Sequence, residues 1–210
     1  MKIHEIFYSL QGESTLTGLP TVFVRLTGCP LRCVWCDTEY AFTGGSWLSM
    51  DEIMAEVAKH QTAYVCVTGG EPLAQKRVHL LLDRLIAENY TVSLETAGAL
   101  SVADVNPDVI KIIDLKAPGS GEMIKNDYAN LDLVGARDQV KFVIADEADY
   151  QWAVETMQQY TINERCQVLF SPVADVMSPK QLAEWILRDH LPVRMQIQLH
   201  KLLWGGTPGT

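Results

Sequence analysis

The stretch TVFVRLTGCPLRCVWCDT, Thr21 to Thr38, governs the reading of this chain. Its first eight residues alternate: Val22, Val24 and Leu26 share one face, and Phe23, Arg25 and Thr27 share the other. That two-residue period, rich in β-branched side chains, predicts a strand over Thr21–Gly28. One face is apolar, as packing against helices requires. The other carries an arginine, which a fully packed interior would not hold. The strand runs directly into Cys29, Cys33 and Cys36, spaced C-x3-C-x2-C.

Working outward, the same alternation recurs between helical stretches. AYVCVTGG (63–70), TVSLETAG (91–98), VIKIIDLK (109–116), DQVKFVIA (138–145), QVLFSPV (167–173) and VRMQIQLHK (193–201) read as strands. SMDEIMAEVAKH (49–60) reads as a helix with Ser49 and Glu52 as a capping box, and PLAQKRVHLLLDRLIAEN (72–89) as one opened by Pro72. EADYQWAVETMQQY (147–160) and SPKQLAEWILRDH (178–190) are the remaining helices. Strand–helix alternation gives an α/β chain with parallel strands. About seven strands is short for a closed barrel of typically ~250 residues. Periodicity leaves an incomplete barrel and an open doubly wound sheet both standing. Either architecture puts working residues at the C-terminal strand ends. There the sequence places the cysteines, then Gly69, Gly70 and Glu71, then Glu95 and Thr96, Asp114 and Lys116, Ser171 and finally His200. In the last strand Val193, Met195, Ile197 and Leu199 are expected to oppose Arg194, Gln196, Gln198 and His200, a second polar stripe lining a site.

The 210 residues carry a formal charge of −9, which argues against a nucleic-acid partner. MKIHEIFYSLQGE has charges where a signal peptide needs its apolar core, and no run approaches the ~20 apolar residues of a membrane span. A single cytoplasmic domain, 1–210, with reduced cysteines is therefore expected. Five cysteines, three of them crowded, favour a metal site over disulfides. One reading is structural zinc with His4 or His79 as fourth ligand, although the paired second half of such sites is absent. The other is an iron–sulfur cubane, which normally takes four cysteines, held by three so that one iron stays open to a small molecule. Ligand count favours the second. Cys66 and Cys166 are expected to be buried, inert thiols.

The C-x3-C-x2-C spacing, with Trp35 before the last cysteine, resembles the signature of the radical S-adenosylmethionine superfamily, and TGGEP (68–72) resembles its second motif. In that superfamily the methionyl amine and carboxylate chelate the open iron of a [4Fe-4S] cluster, and reductive cleavage releases a 5'-deoxyadenosyl radical. EIFYSLQGES, GLPTVFVRLTGCPLRCVWCDT, TGGEPL, LETAG and QLHK resemble the 7-carboxy-7-deazaguanine synthases of queuosine biosynthesis, and the match touches both ends of the chain. The resemblance implies an incomplete TIM-like barrel with short N- and C-terminal substrate-side extensions. It implies a carbon–nitrogen lyase reaction in which 6-carboxy-5,6,7,8-tetrahydropterin loses ammonia and contracts to 7-carboxy-7-deazaguanine. It also implies Mg2+, a homodimer and an electron donor such as flavodoxin or ferredoxin.

Carried over residue by residue, Cys29, Cys33 and Cys36 hold the cluster and Thr38 ligates Mg2+. Leu10, Gln11, Gly12, Glu13, Arg25, Thr68, Glu95 and His200 contact the substrate, with Arg25 on its carboxylate. Trp35, Cys36, Asp37, Gly70, Glu71, Asp114, Leu115, Lys116 and Ser171 contact S-adenosylmethionine, the last within Ser171–Ala174. No residue is assigned as acid or base. Three departures stand out: QGES replaces the commoner QGEG, DLK stands where SPK also occurs, and LLWGGTPGT does not resemble YLNI endings. DLK also occurs in glycyl-radical-enzyme activases, the nearest rival enzymes. A zinc-stapled binding module is the rival from outside enzymology.

Overall fold

The computed structural model describes residues 1–205, 207 and 209. Nine strands make one sheet: β1 (Lys2–Leu10), β2 (Pro20–Leu26), β3 (Ser46–Trp47), β4 (Tyr64–Gly69), β5 (Thr91–Thr96), β6 (Ile110–Leu115), β7 (Gln139–Ile144), β8 (Gln167–Pro172) and β9 (Arg194–Met195). Their order is β3-β1-β2-β4-β5-β6-β7-β8-β9. Every neighbouring pair from β2 to β9 is parallel, whereas β1 runs antiparallel to both β2 and β3. The sheet is open, so the incomplete barrel stands.

Helices α1 (Met50–Val57), α2 (Val78–Ala87), α3 (Glu147–Gln159) and α4 (Pro179–Arg188) connect the strands. Their local signals are as expected. The Glu52 amide donates to Ser49 Oγ (3.2 Å) while Ser49 N donates to Glu52 Oε2 (2.8 Å). Ser178 caps α4 ahead of Pro179. The helix expected from Pro72 is interrupted, with a single 3-10 turn over Pro72–Ala74 before α2 begins at Val78. Between them Gln75 turns inward: its amide accepts from Lys2 N (2.9 Å) and donates to Lys2 O (2.8 Å), which serves the backbone of β1 better than another helical turn would.

Two corrections concern the sheet. β1 and the two-residue β3 beside it were not among the expected strands. A bulge between Ile3 and Glu5 breaks the two-residue period of β1, which hides it from pattern reading. The strand expected over Val193–Lys201 ends after Met195. Gln196 N still reaches Phe170 O, but Leu199 N bonds to Gly12 O instead, and Leu199–Trp204 coils into α5 across the open mouth. The expected alternation fails with it: Gln196 is buried, and Ile197 is exposed.

Candidate active site

Strand alternation divides the sheet. Val22, Val24, Leu26, Val65, Val67, Val92, Leu94, Ile113, Leu115, Val140, Phe142, Ile144, Val168 and Phe170 point to the helix side and are essentially inaccessible. Phe23, Arg25, Thr68, Glu95, Ile112, Asp114 and Lys141 point the other way and line a cavity of about 860 Å³. Gln11, Gly12 and Glu13 form the cavity floor, and the two residues after them anchor that loop. Gln196 Oε1 accepts from Ser14 N (2.9 Å), and Gln139 both accepts from Thr15 N (2.9 Å) and donates to Thr15 Oγ1 (2.8 Å). His200 lies directly on Gly12, where an added Cβ would fall 2.1 Å from Nδ1, so a side chain at this position would displace the imidazole. His200 therefore reaches the cavity from α5, not from a strand end.

Cys29, Cys33 and Cys36 all line this cavity, half-buried, in the loop after β2. The TGGEP segment runs beside that loop: Gly70 N donates to Leu26 O (3.2 Å) and Glu71 N to Gly28 O (2.8 Å). A Cβ on Gly70 would meet Gly28 O at 2.4 Å and Cys29 Cβ at 2.7 Å, so only glycine permits this approach. Burial pushes all three thiols up, and the Lys116 ammonium pulls against it at each. Among the described residues no three His, Cys, Asp or Glu side chains converge on one point, as ligands of a single ion would. Three thiols on one loop, with no fourth cysteine among the described lining of the cavity, fit a cubane that keeps one iron without a protein ligand.

The charged groups on the cavity wall are paired. Arg25 Nε donates to Glu5 Oε1 (2.6 Å), which also accepts from Tyr40 Oη (2.9 Å). The guanidinium lies 5.6 Å from the Phe7 ring centre and 5.8 Å from that of Tyr40. Glu95 is held from both sides, by Gln11 Nε2 (3.3 Å) and Thr68 Oγ1 (3.0 Å). Asp114 Oδ2 lies 3.2 Å from both Lys116 Nζ and Lys141 Nζ, while Asp114 Oδ1 is buried without a partner. Burial disfavours ionised Asp114, yet the two ammonium groups outweigh it and hold its carboxyl below the usual range. Asp37 accepts from Thr38 Oγ1 (2.7 Å) and Gln198 Nε2 (3.1 Å) and pairs with Lys201 Nζ (3.2 Å). Burial opposes its charge as well, and again these partners win, led by Lys201.

Most expected site residues therefore meet in one cavity: Leu10, Gln11, Gly12, Glu13, Arg25, Trp35, Cys36, Asp37, Thr38, Thr68, Gly70, Glu95, Asp114, Lys116 and His200 all line it. Three do not. The Glu71 carboxylate is fully buried and accepts from Leu73 N (2.9 Å), Thr96 Oγ1 (2.9 Å) and Ala97 N (2.7 Å), tying the ends of β4 and β5 together. Leu115 belongs to the helix-side core. Ser171 is buried beneath the lining, although Val173 and Ala174 after it reach the cavity. Glu5, Tyr40 and Lys141 were not expected. Lys141 carried the same signal as Arg25, a cation amid apolar strand residues. Of the tail, Gly205, Thr207 and Gly209 line the mouth, while residues 206, 208 and 210 lie outside the described residues.

Comparison with known proteins agrees with this geometry. The radical SAM superfamily model matches residues 23–163. The 7-carboxy-7-deazaguanine synthase of Koribacter versatilis is 46% identical, covering 100% of this chain and 99% of that protein. The synthase of Chlorobaculum tepidum is 48% identical, covering 97% of this chain and 94% of its own length. In fold, the crystal structure of QueE from Escherichia coli superposes with a TM-score of 0.78 at 24% identity, covering 95% of this chain and 94% of that one. Streptococcus suis SuiB reaches 0.58 at 10% identity, covering 81% of this chain and 46% of that one. A cavity walled by three half-buried cysteines at the strand ends of an open parallel sheet, together with full-length relatives at this identity, shows that the chain belongs to the radical SAM superfamily and, within it, to the 7-carboxy-7-deazaguanine synthases.

Proposed function

We propose that this chain converts 6-carboxy-5,6,7,8-tetrahydropterin to 7-carboxy-7-deazaguanine and ammonia, with Cys29, Cys33 and Cys36 holding a [4Fe-4S] cluster and Arg25 holding the substrate carboxylate. The observation that carries this reading is that the three thiols and the guanidinium of Arg25 face one cavity. When bound, the cluster and S-adenosylmethionine supply the radical that withdraws a hydrogen atom. Product equals substrate less ammonia, so that hydrogen atom is returned and no net redox equivalent is consumed. The residues must therefore grip one molecule through the whole rearrangement.

Glu5 occupies only Nε of Arg25, leaving the two Nη groups for a carboxylate. Pairing inside the protein and binding substrate are thus compatible roles for one guanidinium. Glu95, fixed by Gln11 and Thr68, offers carboxylate oxygens to the N–H-rich edge of the pterin. Asp114 Oδ1, buried and unpartnered, offers an acceptor to the cofactor. Thr38 donates its hydroxyl hydrogen to Asp37, so its oxygen lone pairs remain for Mg2+, a hard ion that keeps few protein ligands. Glu71, Leu115 and Ser171 serve this reading as supports of the wall and as backbone. The reading also includes a homodimer, a flavodoxin- or ferredoxin-type reductant and a cytoplasmic setting; no helix among the described residues is long and apolar enough to cross a membrane.

The test is an anaerobic incubation with S-adenosylmethionine, reductant and the carboxypterin, with Mg2+ or excess chelator, read by mass spectrometry. Brown protein should release one deazaguanine product and ammonia, faster with Mg2+. Colourless protein carrying one zinc and giving no product would defeat the reading. Equal rates with Mg2+ and chelator would remove Thr38 from it.

A further inference from the structure

We propose that Lys141 is a positioning residue that sets the substrate and cofactor subsites relative to each other, by holding Glu13 and Asp114 with a single ammonium. The inference rests on the reading above, in which Glu13 meets the substrate and Asp114 the cofactor. Lys141 stands on β7, on the cavity face, between the floor loop and the end of β6. Its Nζ pairs with Glu13 Oε2 and lies 3.2 Å from Asp114 Oδ2. Asp114 Oδ2 is shared with Lys116 Nζ at 3.2 Å. Glu13, Lys141, Asp114 and Lys116 thus form an alternating chain of charge from the floor towards the cysteine loop.

The arrangement does more than neutralise charge. Both carboxylates line the cavity, and each spends one oxygen on Lys141. Asp114 Oδ1 is left buried and unpartnered, which fixes the direction in which that carboxylate can accept a hydrogen bond. A radical abstraction requires one C–H bond to lie at a set distance from the reacting cofactor. Glu13 comes from the chain before β2 and Asp114 from β6, and Lys141 is the side chain that touches both. The side chains of all three are 12–18% exposed, so water does little to screen them.

The molecule contains its own control. Lys111 pairs with Asp138 at 3.0 Å on the helix side of β6, away from the cavity, with even less exposure. A lysine that merely satisfies a buried carboxylate should behave like Lys111.

The experiment compares native, Lys141→Met, Lys141→Arg and Lys111→Met proteins, each reconstituted to equal iron content. Equilibrium dissociation constants are measured separately for S-adenosylmethionine and for 6-carboxy-5,6,7,8-tetrahydropterin, beside thermal stability. Lys141→Met should weaken both ligands at least tenfold and raise the ratio of 5'-deoxyadenosine to deazaguanine product. Lys141→Arg, which keeps the charge but cannot hold both oxygens in the same place, should lose at least threefold on both ligands and less than the Met variant. Lys111→Met should lower stability and leave both constants native. Should Lys141→Met not fold, the Arg variant decides. Native constants in the Lys141 variants, or a change in one ligand only, would overturn the proposal. A native enzyme that binds neither ligand would sink the functional reading itself before any lysine variant is compared.

Discussion

The two faces of the sheet are built from the same strands and obey opposite rules. On the helix side, β7 contributes Val140, Phe142 and Ile144, all fully buried, and Phe142 meets Phe170 and Trp152 edge-on at 5.6 and 5.7 Å. On the cavity side the same strand contributes Gln139, Lys141 and Val143, and Lys141 is pinned between two carboxylates. One residue along the chain separates a packing role from an electrostatic one. On β7 the apolar face can be dense because none of its side chains needs a polar partner. On the polar face each charge is tied to a neighbour: Arg25 to Glu5, Glu95 to Gln11 and Thr68, Asp114 to Lys116 and Lys141. Buried charges persist only under such pairing. Substitutions on the two faces should therefore separate stability from chemistry.

The largest effect belongs to the cavity face. Cys29→Ala, Cys33→Ala or Cys36→Ala should abolish both iron binding and turnover, because the other two cysteines, Cys66 and Cys166, are buried elsewhere. Cys66→Ala should leave iron and product at native levels. Iron at native stoichiometry in Cys33→Ala, measured after anaerobic reconstitution, would break the assignment.

Next comes the helix face. Phe142→Ala should cost about 3–5 kcal/mol of stability through lost burial and the cavity left behind. Product formed per folded, iron-loaded molecule should be unchanged well below the melting temperature. A variant that stays stable but loses turnover would erase the division between the faces.

Arg25→Ala probes the cavity face again. It should reduce product by about 30- to 1000-fold, equivalent to about 2–4 kcal/mol, while cofactor binding stays native. 5'-Deoxyadenosine should still form, so its ratio to product should rise. Because Glu5 loses its cationic partner and keeps only Tyr40, Arg25→Ala is to be compared with Arg25→Ala/Glu5→Gln, which removes the uncompensated charge. A native product ratio in both would show that Arg25 serves Glu5 alone.

Much of this division was legible in the sequence, and what was not has physical causes. β2 and β4 to β8 announce themselves because their period is unbroken, and their ends put Thr68, Glu95 and Asp114 in the cavity as expected. β1 is hidden by one bulge, which shifts Glu5 onto the polar face opposite Arg25. The partner of the arginine thus lay in the strand that periodicity could not see. Leu199–Trp204 suits a strand or a helix about equally, and only the Leu199 bond to Gly12 decides it. Glu71 sits in a motif whose neighbours approach the cysteine loop, yet its carboxylate turns into the protein because Leu73, Thr96 and Ala97 offer it three donors. Sequence spacing places a residue on a loop; tertiary partners choose where its side chain points.

The smallest effect sharpens the comparison at the cavity floor, where the chain carries QGES in place of QGEG. Ser14 is buried and adopts φ 72°, the left-handed region that glycine favours. Serine is tolerated because its Oγ accepts from Leu16 N at 3.1 Å, a bond that offsets part of the backbone strain. Ser14→Gly relieves the strain, which is worth about 1–2 kcal/mol. It also loses that bond, worth about 1 kcal/mol, and frees the unfolded chain by a further 0.5–1 kcal/mol or so. These terms nearly cancel, so stability should stay within about 1 kcal/mol of native. Ser14→Ala loses the bond and keeps the strain, so it should be less stable than Ser14→Gly by about 1 kcal/mol. That order is the reverse of what the same pair gives inside a helix. Denaturant unfolding of the two variants checks it. An alanine variant as stable as the glycine variant would mean that the floor loop relaxes freely at residue 14. In that case Gln11 and Glu13, on the same loop, would be held by their own bonds to Glu95 and Lys141 and by the loop's ties to Leu19, Gln139 and Gln196, with no contribution from the conformation of residue 14.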